Sequence, residues 1–155
     1  MILKKNIIKK GQRSMAFRIM LDSNIILDLS LQRSDDLEDL KSIYRKIIEG
    51  EFRCYSTTSI IHTCAHFLIK SVKLQIAKEI LLSLLVNVKI IEANHDLVKD
   101  AIQSGFIDIE DALQYYTALH HKVDCVLSRD KKFIKAAKPQ LPVYDPATFI
   151  KKFMN

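Results

Sequence analysis

The stretch Phe17-Arg18-Ile19-Met20-Leu21-Asp22-Ser23-Asn24-Ile25-Ile26-Leu27-Asp28 decides how the chain is read. A short apolar run stops abruptly at a carboxylate, a hydroxyl and an amide, and a second apolar run follows at once. A strand that ends in Asp22 delivers a charge to the carboxyl edge of a sheet, the edge where open α/β proteins bind their ligands. A carboxylate buried between two apolar runs is costly unless something pairs with it. Two further acids occupy element boundaries downstream. Asp111 opens an amphipathic run in Asp108-Ile109-Glu110-Asp111-Ala112, and Asp130 closes the segment Val123-Asp124-Cys125-Val126-Leu127-Ser128-Arg129-Asp130. Three separated carboxylates at element ends imply a bound divalent cation.

Around these motifs, helix and strand signals alternate. From Asp36 to Gly50, Leu37, Leu40, Ile43, Tyr44, Ile47 and Ile48 keep helical spacing, and Gly50 supplies the stop. Residues 52–56 read as a strand, 58–69 and 73–85 as helices, and 88–91 as a strand. Asn94 caps a helix to Ser104, which Gly105 breaks. A helix over 108–121, a buried strand over 123–127 and a short helix over 130–137 follow. Pro142-Val143-Tyr144 reads as an edge strand, and Asp145-Pro146 starts a last helix to Phe153 with proline at its first position. This alternation predicts an α/β fold of three layers, α/β/α, around a mostly parallel sheet of four to five strands. No linker or internal repeat divides residues 17–155, so one domain is expected. If the strands before Asp22 and Asp130 are neighbours at a reversal of strand order, all three acids converge.

Composition narrows the class. A chain of 155 residues with 48% hydrophobic content buries a core without staples. Cys54, Cys64 and Cys125 are odd in number, lack CxxC spacing and sit in apolar stretches, which points to a reducing, cytoplasmic compartment. No apolar segment reaches the roughly 18–20 residues that span a bilayer. The net charge of +6 is concentrated at the start, where residues 1–18 hold six basic side chains and no acid. Beyond them the chain is neutral, with a net −5 over residues 19–120 and +5 over 121–155. An acidic pocket beside a basic face suits a metal-dependent enzyme acting on a polyanion. Solvated surface charge explains the same distribution equally well. Residues 1–16 are expected to form a flexible basic leader, either a tail without a role or an accessory arm. They lack the apolar core and cleavage site of a secretory signal, and Met15 is a second candidate start.

The set Asp22-Ser23-Asn24, Asp108-Ile109-Glu110-Asp111-Ala112 and Ser128-Arg129-Asp130-Lys131-Lys132-Phe133 resembles the PIN-domain ribonucleases, particularly the VapC-like toxins of type II toxin-antitoxin pairs. The likeness spans residues 17–150, including Asp145-Pro146-Ala147-Thr148-Phe149. It implies a PIN-like fold, Mg²⁺ or Mn²⁺ in an acidic pocket and cleavage of RNA. Asp22, Asp111 and Asp130 fall on the catalytic, metal-binding carboxylates, and Asn24 and Ser128 on polar positions that line the pocket. A cognate antitoxin and a homodimer are implied as partners. Such hard cations take oxygen ligands and keep waters, and a water acidified by the metal attacks a phosphodiester in line.

One position departs from the family. Its members commonly carry a glutamate in the helix after the second strand. Here Ser59-Ile60-Ile61-His62-Thr63-Cys64-Ala65-His66 offers His62, and no Asp or Glu occurs between Phe52 and Lys78. His62 is therefore a pocket-lining candidate, although imidazole is a poorer Mg²⁺ partner than carboxylate. The loss supports a second reading, a degenerate PIN-like domain that binds RNA or a protein without cutting.

Plainer roles compete at several positions. Asp108 with Asp111 fits a helix cap and its N3 acid, which leaves Asp108 as cap or outer ligand. Asp130 caps the next helix as readily as it binds a cation. Glu110 lies off the Asp111 face. His62 and His66 share a helical face, but Thr63 replaces the glutamate of a zinc-protease motif. Lys131, Lys132, Lys135 and Lys138 read as a wet helix face before a phosphate track. An aspartate-nucleophile phosphatase ranks low, because Asn24 stands where its second Asp belongs.

Overall fold

The computed structural model describes residues 16–155, and the expected basic leader lies outside them except for Ala16. Strand β1 (Phe17–Leu21) is the centre of the molecule, with Ile19, Met20 and Leu21 no more than 1% exposed. Helices α1 (Ser23–Leu31) and α2 (Leu37–Ile48) lead to β2 (Phe52–Ser56). Helices α3 (Thr58–Ser71) and α4 (Leu74–Asn87) lead to β3 (Val88–Ile90). Helices α5 (His95–Gln103) and α6 (Ile109–His120) precede β4 (Cys125–Leu127), and α7 (Lys131–Ala136), β5 (Val143–Tyr144) and α8 (Pro146–Phe153) complete the described chain.

The five strands form one parallel sheet in the order β3-β2-β1-β4-β5. Flanked by eight helices, it makes the three-layer α/β/α arrangement that the alternation predicts. From β1 the sheet grows through β2 and β3 on one side, and through β4 and β5 on the other. The reversal therefore falls between β1 and β4, which pair Ile19 with Cys125 and Leu21 with Leu127. A crevice opens at such a point because the crossovers leave in opposite directions.

Six of the eight helices begin on a side chain that accepts a backbone N–H: Asp22, Thr57, Asn94, Asp108, Asp130 and Asp145. Asp22, Asp108 and Asp130 are thus caps as well as candidate site residues. Helix α1 is an element that periodicity leaves unread. Ile25, Ile26, Leu27 and Asp28 are all buried, so no polar face marks the turn. Strand β4 starts two residues later than expected. There the Arg18 N–H bonds a side-chain oxygen of Asp124 at 2.8 Å instead of a carbonyl.

The opposite edge of the sheet is apolar. Phe17 and Phe52 open β1 and β2 and meet edge-on at 6.2 Å between ring centroids. Phe149 of α8 closes on Phe52 at 5.4 Å and on Phe153 at 5.1 Å, offset geometries that aromatic rings prefer. Farther along the sheet, the Tyr115 hydroxyl takes the Lys138 N–H and donates to the Leu141 carbonyl, both at 2.8 Å, which fixes α6 against the approach to β5. Phe149 is fully buried at the centre of its cluster. Phe149→Ala should destabilise the protein by about 3–5 kcal/mol, read as a lower denaturation midpoint in urea.

Candidate active site at the β1–β4 crevice

Asp22 leaves β1 at the reversal point, only 5% exposed, with its N–H on the Leu127 carbonyl at 2.9 Å. Its two oxygens are held by three residues. Oδ1 accepts the Ser23 N–H at 2.7 Å. Oδ2 accepts the Ser128 hydroxyl at 2.6 Å and the Asn24 amide at 3.2 Å. Ser128, fully buried at the end of β4, also accepts from Asn24 Nδ2 at 3.3 Å and from the Asp130 N–H at 3.1 Å. The Asn24 Oδ1 takes the Arg129 N–H at 3.1 Å, which fixes the amide's orientation. Asp22, Asn24, Ser128 and the Asp130 backbone are therefore one network across two strands.

Asp111 lies half-buried on the first turn of α6. Its carboxyl is pushed up to about 7, first by burial and then by the charges of Asp108, Asp130, Asp22 and Glu110. The charges of Asp22 and Asp130 thus reach Asp111, although among the described residues no three His, Cys, Asp or Glu side chains are grouped to hold a metal ion. Asp130 is exposed and caps α7, its Oδ1 accepting from Lys132 at 2.9 Å and Phe133 at 3.3 Å. Asp108 is exposed and caps α6 by taking the Asp111 N–H at 3.0 Å. In both cases the cap uses one oxygen, so capping and ligation do not compete for the whole group.

Helix α3 forms a further wall. His62 is exposed there, and the next two residues make the contacts toward the acids. Thr63 Oγ1 donates to Glu110 Oε1 at 3.3 Å, and Cys64 Sγ lies 3.8 Å from the Ser23 carbonyl. Burial, with the Asp22 charge behind it, pushes the Cys64 thiol up to about 12, so it stays protonated. Thr63, Cys64 and Arg129 escape sequence reasoning because nothing in residue type or spacing singles them out. Glu110 meets α3 through the Thr63 hydroxyl, and its charge also acts on Asp111.

A parallel α/β sheet with polar and acidic residues gathered at its reversal point defines a class before any comparison is made. A PIN domain family model matches residues 18–132, and the chain belongs to that family. No curated sequence matches it significantly. Among solved structures, VapBC2 from Rickettsia felis, bound to a DNA fragment from its promoter, superposes with a TM-score of 0.62. At 17% identity the match covers 83% of this chain and 98% of that one. PAE2754 from Pyrobaculum aerophilum gives 0.63 at 16% identity, over 89% and 96%. VapC20 from Mycobacterium tuberculosis, a toxin that cleaves the sarcin-ricin loop, gives 0.62 at 12% identity, over 79% and 97%.

The Asp111 environment makes stability depend on pH. Between its ordinary value of 3.8 and about 7 the folded protein keeps a proton that the unfolded chain has released, so stability falls as pH rises through that window. Asp108→Asn keeps a good cap and removes the largest of the neighbouring charges. Carboxyl NMR titration of this variant should find Asp111 titrating at lower pH, with a shallower decline of stability.

Proposed function

We propose that this protein is a metal-dependent endoribonuclease and the toxin of a type II toxin-antitoxin pair. The observation that carries the reading is Asp22, a buried carboxylate at the sheet's reversal point, set in one field with Asp111 and Asp130.

The donor chemistry suits Mg²⁺ or Mn²⁺. Every acidic group at the crevice offers hard oxygen, and the neighbouring thiol, Cys64, stays protonated. Among the described residues no three His, Cys, Asp or Glu side chains are grouped to enclose an ion unaided. An ion that keeps several waters needs fewer protein ligands, and Asp22, Asp111 and Asp130 are the candidates from which one or two would hold it. When bound, such an ion acidifies a water and neutralises charge on the phosphate. The chain's own groups do the rest. Ser128, Asn24 and the Ser23 N–H hold the Asp22 carboxylate in one orientation. Asp111 can exchange a proton at neutral pH, and neutralising the surrounding charge would leave it ionised. Lys131, Lys132 and Lys135 on α7, next to Asp130, suit the backbone of an RNA substrate.

The likeness to VapBC2 and to a toxin that cleaves the sarcin-ricin loop supports an antitoxin partner and an RNA target. A homodimer and a cytoplasmic site of action belong to the same proposal. Among the described residues no helix is long and apolar enough to cross a membrane.

The wall of α3 favours a second reading, an RNA-binding or protein-binding PIN domain that does not cut, because its contacts come from Thr63 and Cys64 and not from an acid. Cleavage with and without chelator separates the two. The nuclease should lose its cut in chelator and regain it with Mn²⁺, whereas a binder should show no chelator-sensitive product. Supports behind metal ligands are alone worth about 10- to 100-fold, so Asp22→Asn and Asp111→Asn should each reduce cleavage by at least about 100-fold. Wild-type rates in both variants would overturn the site.

A further inference from the structure

Arg129 lies between Ser128 and Asp130, and its guanidinium turns away from the acidic crevice. Its Nε donates to Asp28 Oδ2 at 2.6 Å. One terminal nitrogen donates to Asp36 Oδ2 at 2.9 Å, and the other to Ser34 Oγ at 2.7 Å and to the second Asp36 oxygen. Asp28 is 8% exposed at the inner face of α1, and its other oxygen takes Arg33 Nε at 2.8 Å. Ser34 and Asp36 belong to the short strap between α1 and α2, which Gln32 enters with a φ of +49°. One side chain thus ties a buried acid in α1 to the strap that leads into α2.

The backbone of the same residue faces the pocket. The Arg129 N–H is held by Asn24 Oδ1, and Asn24 Nδ2 reaches Asp22 and Ser128. A continuous set of bonds therefore runs from the strap through the guanidinium, along the Arg129 backbone and into Asn24, Asp22, Ser128 and the Asp130 N–H. Both ends of the turn carrying Ser128 and Asp130 are pinned. A planar fork that meets two carboxylates and a hydroxyl leaves its residue little freedom, and lysine cannot reproduce it.

We infer that Arg129 is a positioning residue, with the strap over residues 32–36 as its anchor, which holds Ser128 and Asp130 at the distance from Asp22 that the cation pocket requires. This rests on the reading of that pocket given above, and it adds a role for residues outside it. The guanidinium is committed to Asp28, Ser34 and Asp36, so it acts through Asn24 and the 128–130 turn. Asp28 is the fixed end of the device, and Ser34 with Asp36 the end that substitution can release without opening the core.

The test uses the full chain with Arg129→Lys, Asp36→Asn and Ser34→Ala, measuring Mn²⁺ affinity by calorimetry and amide hydrogen exchange residue by residue. Arg129→Lys and Asp36→Asn should weaken Mn²⁺ binding by about 10- to 100-fold, the usual scale for a support behind a metal ligand. Exchange at the Arg129 and Asp130 amides should quicken in both, while the Cys54 amide in β2 keeps its wild-type rate. Wild-type affinity with wild-type exchange in the 128–130 turn would overturn the inference. So would exchange that rises equally at Cys54, the mark of general destabilisation. If Arg129→Lys does not fold, Asp36→Asn decides, since Asp36 lies in the surface strap. If the wild type binds no Mn²⁺, the pocket reading fails, and the exchange measurements still test the clamp.

Discussion

A carboxylate at the end of a central strand must be answered from the neighbouring strand, and the Asp22–Ser128 bond is that answer. Both residues are buried, and the bond crosses from β1 to β4 at the only place in the described sheet where the order reverses. Were Ser128 apolar, Asp22 would lose its shortest partner in a site with little access to water, a loss that costs more than the bond itself contributes. The hydroxyl does three things at once. It donates to Asp22, accepts from Asn24 and takes the Asp130 N–H, so the start of α7 is placed by the same atom that steadies the first acid.

The sheet separates stability from chemistry along its own strands. At the amino ends, Phe17, Phe52, Phe149 and Phe153 form an aromatic cluster with no charge to satisfy. At the carboxyl ends, helices α1, α6 and α7 all begin on aspartates. Burial first, and then the neighbouring acids, raise the Asp111 carboxyl, and both work against its charged form. The aromatic edge and the Tyr115 anchor supply packing remote from that repulsion, which lets the acidic edge remain under strain.

Much of this was legible in the residues. Strand ends, caps and the alternation of elements follow from local rules, which is why Asn94 and Asp145 cap the helices expected of them, at 2.9 Å and 2.7 Å. The convergence of Asp22 with Ser128 was legible only as a condition on strand order, because pairing across 106 residues leaves no trace in spacing. Helix α1 was hidden by its own burial. The clamp on Arg129 was hidden for a different reason: Asp28, Ser34 and Asp36 look like ordinary helix-end and loop polar residues until the fold brings β4 beside them. His62 drew attention by its chemistry, yet the contacts toward the acids come from Thr63 and Cys64, because helical phase decides which side chains face the pocket.

That phase bears on what a residue of α3 can contribute to the crevice. The residues on β1 and β4 are fixed by topology, since a strand end at the reversal point has one place to go. A side chain on α3 is placed by the packing of α3 against α1, where Cys64 meets the Ser23 carbonyl, and against α4. Its chemistry is then set by charge. An additional carboxylate on α3 would bind a cation more strongly, because affinity rises with ligand charge, but it would push Asp111 further from ionisation whenever the cation is absent. Thr63 instead donates a hydroxyl to Glu110, a contact that adds no charge. The α3 wall therefore adds no charge beside Asp111, and the proposed ion would rely on the acids that end β1 and begin α6 and α7.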